Sequence, residues 1–413
     1  DRLAETGVRF QTCWTVPVCG PSRVLVMTGR YGFRTGYYNM SDRPGGPATH
    51  KPRLDFTRTE KTFAEILKPA GYVSALAGKW QLVPPTTKKI NEAGFDEYLT
   101  WKIPYNEGYG KLEELPGGRT GNPGSRYYQP SLWKNGKALK TEPDDFGPDM
   151  FTGFLIDFMS RHREQPFVAY YPMVLPHRPI GPTPDRPDLP VENSERALVA
   201  NVEYIDQLVG RLMDALKEFG LREDTIIFFT GDNGTEEKGK NTPTEAGCRV
   251  PLIVNWPGQI ESGLVSSALV DFSDMVPTFA GLAGVSLPAD REYDGKSLMP
   301  VLTGQKESVR DWIFSYMGQF RLLRTPEWLL EANCVDYPGD FFYCGQNRDG
   351  TAYENVTESK DEKVLAAREE FDKILEQLPP PDLPPEERVR FLKYLEHYNG
   401  PDFKIDRAYP EGY

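Results

Sequence analysis

The 413-residue chain predicts an α/β fold: a mostly parallel sheet flanked by helices, followed by a smaller C-terminal α+β part. Three observations carry that reading. Apolar strand-like runs alternate with helix-like segments from the start to about residue 305. The runs Phe167–Tyr171, Thr225–Phe229 and Val250–Val254 lack polar alternation and are rich in β-branched and aromatic residues, as strands buried on both faces are. In Ser194–Phe219, Leu198, Val202, Ile205, Val209, Leu212 and Leu216 recur at helical spacing and make one apolar stripe, closed by Gly220.

The remaining elements follow in chain order. Asp1–Gly7 reads as the last turns of a helix closed by glycine, so the sequence is expected to be a fragment, and the lack of a leader says nothing about location. Val24–Thr28 reads as a short helix entered through Pro21 and closed by Gly29. A helix is expected over Lys61–Gly71, then a strand over Tyr72–Ala77. From Trp80 to Trp133 the chain is loop-rich and aromatic (Tyr98, Trp101, Tyr105, Tyr127 and Tyr128 among them), which favours loop packing over a sugar platform. Asn135-Gly136 marks a two-residue hairpin turn, and Asp149–Arg163 a helix. Beyond about residue 306 the texture changes. Trp312–Tyr316, Phe320–Leu323 and Trp328–Leu330 suggest a small antiparallel sheet, Asp361–Leu378 a helix, Leu378–Pro385 a stiff linker and Glu386–Asn399 a last helix. The division expected is 1–305, 306–378 and 379–413.

Composition excludes several classes. A net charge of −12 argues against general nucleic-acid binding, so an anionic substrate must be met by a local cationic cluster. No run is long and apolar enough for a membrane helix. Five cysteines in a chain of this length are not a disulfide framework. Cys334 and Cys344, which flank a Pro-Gly turn, leave two states open, a disulfide or two buried thiols, while Cys13 and Cys248 read as ordinary strand or loop residues.

Chemistry concentrates where cysteine meets arginine. Cys19-Gly20-Pro21-Ser22-Arg23 puts residue 19 at the positive end of a short helix, where an anionic nucleophile is stabilised. By itself this fits a structural thiol as well as a nucleophile. A cysteine phosphatase loop needs a longer spacing than the three residues between Cys19 and Arg23. Followed by Met27-Thr28-Gly29-Arg30, the run resembles the signature of the type I sulfatases, of the alkaline phosphatase-like superfamily, whose cysteine becomes formylglycine. Gly71–Trp80, ending in Gly78-Lys79-Trp80, resembles that family's Gly-Lys-Trp-His segment, and Pro176-His177-Arg178-Pro179 its Pro-His-x-Pro stretch. Gly231-Asp232-Asn233-Gly234 follows a strand, at the end where open α/β sheets bind ligands. Lys240 precedes Glu245-Ala246-Gly247 as the family's second active-site lysine precedes its Glu-Gly-Gly, and the likeness continues through Arg249–Gly258, Asp271–Gly284 and Asp294–Gly304.

The resemblance implies sulfate-ester hydrolysis, on a sulfated carbohydrate or other sulfated small molecule. A maturation enzyme would make formylglycine from Cys19, and one hydroxyl of its hydrate, ionised by Ca2+ or Mg2+, would attack sulfur. The second hydroxyl would then expel sulfate. Asp232, Asn233 and residue 19 would bind the metal; Arg23, Lys79 and Lys240 would hold charge; His177 or Lys240 would protonate the leaving alcohol; Gln81 would bind substrate. A periplasmic or extracellular location is implied as well. Two departures stand out. The family's first strand, ending in paired aspartates that complete the metal shell, precedes the signature and is not in this sequence, and Gln81 stands where the family more often has His. Two alternatives therefore accompany the sulfatase reading: a phosphonate or phosphodiester hydrolase of the same superfamily, and a non-catalytic, sulfatase-like binding protein.

Overall fold

The computed structural model describes residues 2–39, 55–82, 87–101, 126–191, 194–235, 239–346, 353–383, 385, 386, 388 and 389. Tyr105, the centre of the aromatic loop region and nearly all of the expected last helix lie outside them. Among the described residues fourteen strands follow one another: β1 (Val8–Trp14), β2 (Val73–Gly78), β3 (Glu97–Trp101), β4 (Leu132–Lys134), β5 (Lys137–Leu139), β6 (Phe167–Tyr170) and β7 (Ile227–Thr230). Then come β8 (Arg249–Asn255), β9 (Leu264–Asp271), β10 (Ile313–Met317), β11 (Phe320–Arg324), β12 (Trp328–Asn333), β13 (Asp340–Tyr343) and β14 (Glu354–Asn355). The chain divides into two compact units, residues 1–60 with 226–413, and residues 61–225.

The first unit is built on the sheet β7-β8-β1-β9, in which β1 pairs antiparallel with β8 and parallel with β9. The helices Cys19–Thr28 and Met275–Leu282 pack in this unit. Its second sheet, β10-β11-β12-β13-β14, is antiparallel throughout and shares a core with the first: Trp14, Cys248 and Leu269 pack with Ile313, Leu322, Leu329 and Phe342. The aromatic richness that marked this part makes cross-strand stacks, such as Trp328 on Phe341 at 5.4 Å.

The second unit has the sheet β5-β4-β3-β2-β6, parallel at β3/β2 and β2/β6. Asn135 and Gly136, both at positive φ, make the β4–β5 hairpin turn read from the sequence. The helix Phe63–Leu67 starts at a capping box, with Thr62 and Glu65 satisfying each other's orphan amides, and Gly71 in the left-handed region ends the 3-10 turn after it.

The α/β class is observed, with mixed rather than mostly parallel pairing: β1/β8, β7/β8, β3/β4 and β4/β5 are antiparallel. Two burial expectations also change. β7 is half-buried and β6 half-buried to exposed, because among the described residues each ends its sheet with one strand neighbour, so apolar content alone did not place them centrally. On the helix Glu195–Glu218 the packed face is Ala197, Ala200, Asn201, Tyr204, Leu208, Ala215 and Leu216; of the expected apolar stripe Leu216 is buried, while Val202 is exposed. Small residues let this helix approach the helix Gly147–Arg161, where the Tyr204 hydroxyl donates to Asp149 at 2.9 Å. All five cysteines are buried thiols and none is in a disulfide, Cys334 and Cys344 included.

At the end of β9, segments of the family-like pattern join in a buried cluster around Arg310 and Tyr31. Arg310 donates to Asp271 at 2.6 Å and to Asp274, both fully buried, and the Tyr31 hydroxyl donates to Asp271 at 2.7 Å. Asp294 accepts from the Tyr31 amide at 2.8 Å and from Arg34. Burial pushes the Asp274 carboxyl up, to about 7, with Arg310 pulling it down and Asp271 pushing it back up. The folded state thus holds a proton that the unfolded chain has released. That contribution is complete below the ordinary aspartate pKa and is lost as pH rises toward 7. Arg310→Met, which leaves two buried carboxylates without their cation, is expected to cost about 3–5 kcal/mol near neutral pH. Chemical denaturation at pH 5 and pH 7.5 checks it, with a smaller loss expected at the lower pH, where the carboxyls take up protons.

Candidate active site

Residue 19 is the first residue of the helix Cys19–Thr28, capped by Val18 in extended conformation and ended by Gly29, in the left-handed region, whose N–H returns to Leu25 O at 2.8 Å. The helix thus begins two residues before Pro21. Ser22 explains the entry: its hydroxyl bonds Val16 O and Val18 O at 2.8 and 2.9 Å, folding the chain back as the first turn begins. Cys19 is buried, and Arg23, four residues on, shares its face. Arg23 Nη2 donates to Asp232 Oδ2 at 2.8 Å, tying the signature helix to the turn after β7.

That turn is held by backbone. Thr15 Oγ1 donates to Asp232 O at 3.2 Å, and the Gly234 amide to Gly247 O at 2.8 Å. The Lys240 segment is tied to the signature in the same way, through the Asn241 amide and Pro17 O at 2.8 Å. A Cβ at Gly234 or Gly239 would fall on the Ala246 carbonyl. One at Gly247 would lie 2.5 Å from Thr242 O, 2.6 Å from Gly239 O and 2.9 Å from the Pro17 ring. Glycine stands at these positions because backbone meets backbone there. The first unit thereby brings together residue 19, Arg23, Asp232, Asn233 and the Lys240 turn.

Asn233 donates from Nδ2 to Gly234 O at 2.8 Å, while its Oδ1 is buried with no hydrogen-bond partner. An orphaned amide oxygen beside a half-exposed carboxylate is in kind what a hard cation takes. Among the described residues no cluster of three or more His, Cys, Asp or Glu side chains stands ready for a metal, so these two oxygens fit such an ion as part of a shell.

Lys79, Gln81 and His177 belong to the second unit. β2 and β6 are parallel neighbours, so the segments after them, carrying Lys79 to Gln81 and Pro172 to His177, leave the sheet at the same carboxyl end. Gly78, at φ 119°, lies against the Pro172 carbonyl, which accepts the Lys79 amide at 2.8 Å. Lys79 is 2% exposed, so it is not the solvated surface lysine its type suggests. Gln81 is held at φ 57°, a left-handed conformation costly for a side chain of this kind.

Sequence reasoning missed the partners of these residues. Arg126 Nη1 lies 2.9 Å from His177 Nδ1 and its guanidinium stacks 4.4 Å over Trp101, while the Tyr127 hydroxyl donates to His177 O. His177 Nδ1 is also 2.8 Å from Arg178 O. Trp14 and Arg324 were missed too, although both bond Glu245 beside the Lys240 turn. No local signal marks either arginine; Arg324 is 79 residues from Glu245.

Comparison with known proteins shows the family. The model of the Sulfatase family matches residues 1–285. N-acetylgalactosamine-6-sulfatase of Canis lupus familiaris is 32% identical over 343 residues, covering 77% of this chain and 63% of that protein. Arylsulfatase G of Mus musculus is 29% identical over 377 residues, 79% of this chain and 68% of its own length. Among solved structures, Ps i-CgsB superposes with a TM-score of 0.74 at 22% identity, covering 97% of this chain and 93% of that one. The chain belongs to the sulfatase family, in the alkaline phosphatase-like superfamily. It spans about 63% of the length of the N-acetylgalactosamine-6-sulfatase it resembles. Members of the family in general use a formylglycine and a divalent metal.

Gly247→Ala is expected to lower stability by about 1–3 kcal/mol, because three rigid neighbours would have to give way at once. Thermal unfolding of the purified variant beside the parent checks it.

Proposed function

We propose that the protein hydrolyses sulfate esters, on a sulfated carbohydrate, with residue 19 carried as formylglycine. The observation that carries the reading is the frame around residue 19: Arg23 bonds Asp232, the Thr15 hydroxyl donates to the Asp232 carbonyl, and the Lys240 turn is tied by backbone to Pro17, just before the signature helix. Formylglycine supplies, as its hydrate, an oxygen nucleophile in place of a thiol. A divalent cation, Ca2+ or Mg2+, supplies positive charge at that oxygen, and the Asp232 carboxylate and Asn233 Oδ1 are the side-chain oxygens that would hold it beside residue 19.

The protein's own side chains do the rest. Arg23 orients Asp232 and adds positive charge at the foot of the helix. Lys240 and Lys79 neutralise sulfate oxygens as charge grows in the transition state. His177 gives a proton to the leaving alcohol from Nε2, since Nδ1 faces Arg126 and the Arg178 carbonyl. Gln81 binds substrate through its amide, and Lys240 is the second candidate for the proton. A formylglycine-generating maturation enzyme is the partner this reading requires, and the periplasm or the cell exterior the place of work. Among the described residues no helix is long and apolar enough to cross a membrane.

The test is turnover of nitrophenyl sulfate against nitrophenyl phosphate diesters and phenylphosphonates, with peptide mass spectrometry of residue 19. Sulfatase turnover, with the mass loss that turns a thiol into an aldehyde, is expected. A strong diester preference, or unmodified Cys19 in protein from the native host, overturns the reading. Cys19→Ala is expected to lower kcat by about ten-thousand-fold, and Asn233→Ala to weaken divalent-cation binding by about tenfold or more; steady-state kinetics and calorimetry read these effects.

A further inference from the structure

A carboxylate taken out of water is costly unless cations and donors replace its hydration. Glu245 is 3% exposed and meets that demand fully. Its carboxylate accepts from Trp14 Nε1 at 3.0 Å and from Arg324 Nη1 at 2.8 and 3.0 Å. Burial raises its carboxyl, but Arg324 and Arg249 pull harder, so it is held below the ordinary glutamate range. Arg324, at the end of β11, is itself fully buried and also donates to the Tyr353 hydroxyl at 2.7 Å.

This pair stands behind the candidate site. Glu245 opens the short helical turn Glu245–Cys248, and its amide donates to Glu331 of β12 at 2.7 Å. The residue before that turn's cap, Pro243, accepts from the Ala332 amide at 3.0 Å. β11 and β12 therefore grip the turn from one side. On the other side lie the close backbone approaches of Gly234 and Gly239 to Ala246, and of Gly247 to Pro17. Apolar residues in place of a buried ion pair usually preserve stability. A pair of charges at this point does something an apolar pair cannot: it sets direction and height for the turn.

We propose that Arg324 is a positioning residue for the residue-19 site. Through Glu245 it fixes the turn against which the Asp232-Asn233 and Lys240 segments rest, so the C-terminal sheet sets the geometry of the metal-side and lysine-side groups. The proposal rests on the sulfatase reading of that site.

The test uses the full chain matured by a formylglycine-generating enzyme. Arg324→Met, Glu245→Gln and the double variant Arg324→Met/Glu245→Met are measured for kcat, KM, melting temperature and Ca2+ binding. For the single variants kcat is expected to fall about thirty- to hundred-fold with KM changed less than about threefold, as misplacement of reacting groups gives. The double variant is expected to melt near the parent temperature and still show low kcat and about tenfold weaker Ca2+ binding, because stability is restored and direction is not. A double variant that regains parent kcat and Ca2+ binding along with its melting temperature makes the pair merely structural and overturns the proposal. So do folded single variants with parent kcat and Ca2+ binding. Tyr353→Phe removes only one hydroxyl from Arg324 and covers the case of variants that do not fold: a kcat lowered about threefold supports the proposal, and parent kcat overturns it. If the parent itself turns over no sulfate ester, the functional reading fails, and Ca2+ binding by the same variants still decides the positioning role.

Discussion

Where Gly234, Gly239 and Gly247 meet, backbone packs on backbone with no room for a Cβ. The candidate site depends on that close approach. Four segments distant in sequence, around Pro17, Asp232, Lys240 and Glu245, are held by main-chain bonds such as Asn241 N to Pro17 O and Gly234 N to Gly247 O. Main-chain contacts leave little freedom for rotamers to take up error, so the polar side chains rising from these segments start from a rigid base.

Two buried charge clusters hold the first unit around that base. Arg324 with Glu245 lies behind the Lys240 turn, and Arg310 with Asp271 and Asp274 joins the end of β9 to the approach to β10. Each costs desolvation and each recovers it through several hydrogen bonds. The two differ in charge balance. Glu245 meets the guanidiniums of both Arg324 and Arg249, which hold its carboxyl below the ordinary glutamate range, whereas Asp271 and Asp274 share one guanidinium and burial pushes the Asp274 carboxyl up. The segments Asp271–Gly284 and Asp294–Gly304, part of the family-like pattern, gain a physical reason here: Asp271 and Asp274 pair with the buried Arg310, and Asp294 accepts from the Tyr31 amide and Arg34.

Membership of a family and completion of a site are separate matters. The signature helix, the Asp232-Asn233 turn and the Lys240 turn converge within one unit, and Asn233 Oδ1 is left as a buried acceptor without a partner. Lys79 and His177 leave the other unit's sheet at the carboxyl end of adjacent parallel strands. His177 is not an isolated loop histidine, because Arg126 and the Arg178 carbonyl both engage its Nδ1.

Local pattern was enough for much of this. Turn chemistry at Asn135-Gly136, the glycine stop at Gly29, the helices near 63, 149 and 195 and the C-terminal aromatic strands were legible, because each depends on residues a few positions apart. Family membership was legible through motif order, which also names residue 19 and its cationic company as candidates. Burial of β7 and the packed face of the helix Glu195–Glu218 were not, because edge position and close approach at alanines depend on neighbours that periodicity does not name. Nor were Arg126 and Arg324, whose partners lie 51 and 79 residues away. By itself the sequence marked, through motif order, the residues proposed to carry the chemistry. Only the tertiary structure decided what holds them, because a buried charge finds its partner through space and not along the chain.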